Sequence, residues 1–300
     1  MKTKSSPSNQ DLSSYIIQEN TELLKHLTAT YPNKKKALLK QVMGGGQIRI
    51  NGDVITQFNH PLKKGDEIQI NWAKPSKKIK LQKLNIIYED QHLIAIEKEA
   101  GLLSVASLKE KTKNAVQILK EYMEAIDPRN KVYIIHRLER EASGILLFAK
   151  SREVQEQLQN HWEDYIIDRK YVAIVEGKIK ESSHTLKNYL RSNKHNQVFI
   201  VNTPENATEA ITHFKLLKQS NAYSMLEFKL ETGFKNQIRV QMAHFGYPVT
   251  GDKKYTAKKN PLARVALHAN LIELKHPISG EHLRFELVPP ANFRNLVAKG

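Results

Sequence analysis

Cysteine is absent from all 300 residues, which excludes disulfides and thiolate catalysis and fits a reducing compartment. No apolar run approaches the roughly 20 residues that a membrane-spanning helix requires. The opening "MKTKSSPSNQDLSS" is polar and lacks the apolar stretch of a signal peptide, so a soluble, cytoplasmic protein is expected. There is no His-Glu-x-x-His and no cysteine cluster, and histidines such as His268, His276 and His282 are scattered, so no metal site is expected. Gly44, Gly45 and Gly46 are not followed by Gly-Lys-Ser or Gly-Lys-Thr, which favours a helix C-cap over a phosphate-cradling loop. No internal repeat shows. Acidic residues are few: 31 Asp and Glu stand against 47 Lys and Arg, for a formal net charge of +16. That excess points to a polyanionic partner, because neutralising phosphates releases counterions.

The chain is long enough, at 40% hydrophobic residues, to bury a full core and make two domains. Residues 1–14 read as a disordered tail. From Glu19 the spacing of Leu23, Leu24 and Leu27 predicts a helix ended by Pro32. "NKKKALLKQVM" predicts a second, with Asn33 as its N-cap. Ile48 and Ile50 run into Asn51-Gly52, a hairpin signal, and after "KKGDE" Ile68, Ile70 and Trp72 alternate strictly. Lys34, Lys35, Lys36, Lys40 and Arg49 are expected near one edge, in contact with phosphates. This stretch, residues 15–73, resembles the alpha-L RNA-binding module of a small-subunit ribosomal protein and of several RNA-modifying enzymes. Residues 74–83, "KPSKKIKLQK", read as an extended basic linker.

Residues 84–300 are dense in short apolar strands: "HLIAIEK", "GILLFAK", "KYVAIVEG", "YSMLEFKLETG" and "VALHANLIEL", with helices such as "REVQEQLQNHW" between them. Strands outnumber helices without regular alternation, so the expected class is α+β on a mixed or antiparallel sheet.

Five segments then occur in order: "IIYEDQHLIAIEKEAGLLSVAS", "HRLEREASGILLFAK", "RKYVAIVEGKI", "LETGFKNQIRVQMAHFGYPVTGDKKY" and "LHANLIELKHPISGEHLRFELVPP". Together they resemble the RluA family of RNA pseudouridine synthases over nearly the whole chain. The resemblance implies a cofactor-free isomerisation on ribosomal or transfer RNA, by a monomer. A uridine is flipped out of its helix, a carboxylate acts on the sugar and base, and an aromatic ring stacks on the base. It implies catalytic roles for Glu139, Arg137 and Tyr171, and nucleotide contacts from His136, Phe234, Asn236, Ile238 and Arg239.

The motif His-Arg-Leu-Asp-x-x-Thr-Ser-Gly here reads His136 to Gly144, with Glu139 for the Asp and Ala142 for the Thr. Thr-Gly-Arg-x-[His/Asn]-Gln-Ile-Arg-Val-His reads Thr232 to Gln241, with Phe234 for the nucleophile's arginine partner and Gln241 for the closing His. One added methylene moves a carboxylate by about 1.5 Å, and Glu139 has Arg137 or Arg239 as replacement partners. Two readings stay open: a synthase with Glu139 as nucleophile, or a paralogue that binds RNA as a chaperone or assembly factor without modifying it.

Overall fold

Strand pairing begins at Leu12, inside the segment expected to be a tail. The computed structural model describes residues 12–72, 81, 83–106, 114–195 and 197–298, so most of the linker at 74–83 lies outside the described residues. The N-terminal module comprises β1 (Leu12–Ile16), β2 (Thr21–Glu22), α1 (Leu23–Thr30), α2 (Lys36–Gly44), β3 (Ile48–Ile50), β4 (Asp53–Val54), β5 (Pro61–Leu62) and β6 (Glu67–Asn71). β1 pairs antiparallel with β6, and the sheet order is β1-β6-β3-β4. The tail was expected because its residues are polar. As an edge strand, however, β1 needs backbone hydrogen bonds more than apolar side chains.

The helix expected from Glu19 starts at Leu23, because Thr21 and Glu22 pair with Leu62 and Pro61. Its first free N–H groups find loop carbonyls, Leu23 to His60 at 2.9 Å and Leu24 to Phe58 at 2.9 Å. Asn33 does not cap α2, which starts three residues later after a turn closed by Lys34 N–H to the Tyr31 carbonyl. The glycines do cap it. Gly46 adopts φ +65°, and Gly46 and Gln47 donate back to Met43 and Val42, a Schellman arrangement. Asn51 and Gly52 both have positive φ and join β3 to β4, while Ile48, Ile50, Ile68 and Ile70 fill the module's core.

The large domain comprises β7 (Leu84–Glu89), β8 (Leu93–Lys98), α3 (Ala115–Ile126), β9 (Tyr133–Ile134), β10 (Ser143–Ala149), α4 (Arg152–Asn160), α5 (Trp162–Tyr165) and β11 (Ile166–Glu176). It continues through β12 (Ser183–Ser192), β13 (Val198–Val201), β14 (Thr208–Gln219), β15 (Tyr223–Leu230) and α6 (Gln237–His244). A 3-10 turn (Lys253–Tyr255), β16 (Leu267–Lys275), β17 (His282–Glu286) and α7 (Ala291–Ala298) close it. The strands form one sheet in the order β13-β12-β14-β15-β11-β16-β10-β8-β7, with β17 on β16 and β9 on β10. Among the described residues every ladder of this sheet is antiparallel except β10 with β16, so the α+β class with a mixed sheet is what the chain adopts.

The parallel pair sits at the centre of the sheet and positions the site. β10 is buried along its whole length, as a strand covered on both faces must be. Gly144, its second residue, has φ +119°, and a Cβ there would lie 2.1 Å from the Ala269 carbonyl oxygen. Only glycine lets β10 approach β16 this closely. In the same row, Ala269 pairs with Gly144 on one side and Tyr171 of β11 on the other. A register shift between Lys170 and Tyr171 leaves Asn270 as the extra residue on β16, a bulge that re-aims the local side chains.

Candidate active site

The loop before β10 carries Glu139, and donors from β8 and the segment after it hold the loop in place. Ser104 Oγ donates to the Leu138 carbonyl at 2.6 Å and lies 3.2 Å from the Leu138 N–H. Gly101 N–H donates to the Arg140 carbonyl at 2.6 Å. Lys98, fully buried at the end of β8, donates to the carbonyls of Ala142 (2.6 Å), Leu102 (2.8 Å) and Glu99 (3.0 Å). Burial, and then the Arg264 charge, push its ammonium down to about 7, with Glu141 and Glu139 opposing.

Glu139 itself is gripped at both oxygens. The Asn236 N–H donates to Oε1 at 2.9 Å, and Arg239 Nη1 donates to Oε2. Asn236 is left-handed at φ 56° and precedes α6, so the carboxylate sits at a helix N-terminus, where free N–H groups and the dipole favour an anion. Arg239 is fixed in turn by a bidentate pair with buried Asp252, at 2.6 and 2.7 Å, and by the Asn236 Oδ1 at 3.1 Å. Burial works against its charge, but the Asp252 bonds and the Glu139 charge outweigh it and raise its pKa. The Glu139 side chain keeps 25% of its surface exposed, so the clamp leaves it reachable.

Tyr171 packs half-buried between the two main cores of the domain. Burial raises its phenol pKa, Arg169 opposes and Glu139 adds to the rise, so the ring stays neutral beside the carboxylate. Arg169 is tied to the Thr232 carbonyl at 2.8 Å and lies over Trp162. Two buried glutamines pin α6 to the sheet. Gln237 accepts from the Phe234 N–H and donates to Thr212 Oγ1 and the Ile211 carbonyl. Gln241 accepts from Thr212 Oγ1 at 2.6 Å and donates to Asn188 Oδ1 and the Ala210 carbonyl. The residue in place of the family's closing His is thus a structural amide.

Of the predicted residues, Glu139, Tyr171, Asn236 and Arg239 come together; the others part from their assignments. Arg137 is exposed and has no bond to Glu139, whose cationic partner is Arg239. His136 accepts the Leu147 N–H at 3.1 Å and stands edge-on to Trp162. Burial, with Arg169, pushes it down to about 3, so it is a neutral imidazole that braces β10. Ile238 is a core side chain at 3% exposure. Phe234 lies half-buried against Leu190, Val198, Val240 and Tyr255, the apolar place where an arginine would have lost its hydration. In the N-terminal module, Lys34 lies over Trp72 (4.3 Å) and Lys40 over Phe58 (5.4 Å), while Lys35 and Lys36 are exposed. Arg49 leaves this group: it donates to the Gly52 carbonyl at 2.7 Å and lines a cleft facing the large domain. Among the described residues no cluster of three or more His, Asp or Glu could hold a metal.

Sequence reasoning missed Lys98, Ser104 and Asp252. Their signals are faint: a lysine closing an apolar strand in "LIAIEKEAG" and an aspartate in "VTGDKKY".

The family model of RNA pseudouridylate synthase matches residues 92–244. The uncharacterized RNA pseudouridine synthase YlyB of Bacillus subtilis (strain 168) is 28% identical over 294 residues, covering 96% of this chain and 96% of its own length. YhcT of the same organism, also described as an uncharacterized RNA pseudouridine synthase, is 32% identical over 267 residues, covering 87% of each. The ribosomal large subunit pseudouridine synthase D of Haemophilus ducreyi is 27% identical, covering 90% of this chain and 88% of its own. Among solved structures, human RNA Pseudouridylate Synthase Domain Containing 4 shares the fold, with a TM-score of 0.59 at 20% identity over 72% of this chain and 92% of that one. The chain belongs to the RNA pseudouridine synthase family.

Proposed function

We propose that Glu139 is the working carboxylate of an RNA pseudouridine synthase whose substrate is ribosomal RNA. The observation that carries this reading is the double grip on Glu139 by the Asn236 N–H and Arg239. It supplies charge pairing and orientation although Phe234 stands where the family has arginine. In the reaction the N1–C1′ bond of a flipped uridine breaks, the uracil turns, and C5 bonds to C1′. The C5 proton is lost and N1 gains one, so the product is an isomer. A carboxylate at C1′ or at the sugar assists as nucleophile or base, and the Tyr171 ring supports the base. Ribosomal RNA is favoured over transfer RNA because relatives that match most of the chain are named ribosomal large subunit enzymes. Among the described residues no helix is long and apolar enough to cross a membrane; with the RNA substrate this supports a cytoplasmic enzyme, and the resemblance points to a monomer.

Purified protein added to bulk ribosomal RNA from cells lacking it should form pseudouridine, detected by nucleoside analysis, and Glu139→Ala should abolish it. A parent that binds this RNA without modifying it would replace the reading with that of a binding protein.

A further inference from the structure

The N-terminal module is bonded to the large domain at a point outside the Glu139 loop. Glu89, buried at the end of β7, accepts from Lys150 Nζ at 2.6 Å and from Thr56 Oγ1 at 3.1 Å. Its other oxygen lies 2.9 Å from the Tyr122 hydroxyl, which is also 2.7 Å from the Gly44 carbonyl. Thr56 and Gly44 belong to the module; Glu89, Tyr122 and Lys150 belong to the large domain. An apolar flank adjoins this polar centre. The left-handed turn at Gly46 sits against α3, where an added Cβ would come within 3.2 Å of Ile126 Cγ2. Burial, and then the Glu89 charge, raise the Tyr122 pKa, so its hydroxyl remains a donor.

Such a contact is specific in orientation. A buried carboxylate with three fixed partners costs free energy whenever one is withdrawn, whereas an apolar patch tolerates sliding. The lock also lies on the two elements that matter. Gly44 is the last residue of α2, the helix that carries Lys36 and Lys40. Lys150 directly follows β10, whose other end joins the Glu139 loop. A helix and a strand are rigid rods, so fixing one end of each fixes the separation of the lysines and the carboxylate.

We propose that the Glu89–Tyr122–Thr56 node locks the module onto the large domain, and that the resulting fixed spacing between the α2 lysines and Glu139 selects the uridine to be modified. These are positioning residues, and the proposal rests on the synthase reading above.

The cysteine-free chain allows the test with two introduced labels, Lys64→Cys on the module and Lys218→Cys on the large domain, read by pulsed electron resonance. The parent should give one narrow distance. Thr56→Val with Tyr122→Phe, which leaves the Glu89–Lys150 pair intact, should broaden it. On bulk ribosomal RNA the same variant should raise KM about tenfold, the order expected when a preorganised two-site grip becomes a flexible tether. Its kcat should be unchanged, and it should modify additional uridines. Tyr122→Phe alone, with a smaller broadening, serves if the double variant does not fold. A broad distance in the parent, a narrow one in the variant, or broadening with unchanged KM and unchanged target would each overturn the proposal. If the parent forms no pseudouridine, the synthase reading fails and the selection claim with it, while the distances still decide the lock.

Discussion

At the scale of single residues, the site is a solution to a geometric problem. A longer carboxylate reaches the same nucleotide only if something holds it back, and the Asn236 N–H and Arg239 do so. Glu139→Asp removes about 1.5 Å of reach and should break both bonds, lowering kcat about 10²-fold, the usual cost of a misplacement near 1 Å. Adding Phe234→Arg should not restore it, because position 234 faces Leu190, Val198 and Tyr255. An inactive parent revived by the double change would instead mark a decayed site. Motif position singles out Glu139, Tyr171, Asn236 and Arg239, which the fold brings together. It put Ile238 among the nucleotide contacts although that side chain lies in the core, because a motif records which residues matter and not which way a side chain turns. Lys98 escaped notice since a lone lysine ending a strand reads as solvated, and only the tertiary fold closes over it.

That buried lysine has a measurable consequence. Its pKa is near 7 in the folded protein and near 10.4 in an unfolded chain. Between those values the unfolded state binds more protons, so its contribution to stability grows as pH rises and is lost as pH falls through about 7. Denaturant unfolding at pH 7 to 9 should therefore show the parent gaining on Lys98→Met, by at most about 1.4 kcal/mol per pH unit. A difference that does not vary with pH would mean that Lys98 is charged throughout.

At the scale of elements, the central strands and the helix at 152–160 were readable because their apolar runs are long or periodic. The β12–β14 strands were not. β12 buries only Leu186 and Leu190 of its ten residues, and a strand near a sheet edge has little to bury. The early start at Leu12 failed to show for the same reason. What no pattern in the sequence conveyed is the parallel pairing of β10 with β16, which depends on one glycine. Gly144→Ala should place a methyl 2.1 Å from the Ala269 carbonyl oxygen at a φ that side chains avoid. We expect a loss on the order of 3 kcal/mol or more, read as a lower denaturation midpoint, together with loss of activity. Retained stability would show that the sheet centre can open.

At the scale of the molecule, the +16 charge includes a group of cations on the N-terminal module. Lys35 leads into α2 and Lys36 opens it, Lys34 lies on Trp72, and Lys40 lies one turn further along the helix. Arg49, turned to the cleft beside Asp53 and Asp127, is outside this group. Changing Lys34, Lys35 and Lys36 together to Ala should weaken binding to unrelated structured RNAs alike, because phosphate contacts carry no sequence information. The slope of log affinity against log salt should become shallower by roughly 0.7–0.9 for each phosphate contact removed, hence by about 2 to 3 for the triple variant. Arg49→Ala should leave that slope unchanged while the lysines remain. On the proposed reading the lysines contact backbone and Glu139 acts on one nucleotide, so the triple variant should raise KM on ribosomal RNA with kcat preserved. An unaltered slope in the triple variant would move the RNA-gripping surface off the N-terminal module altogether.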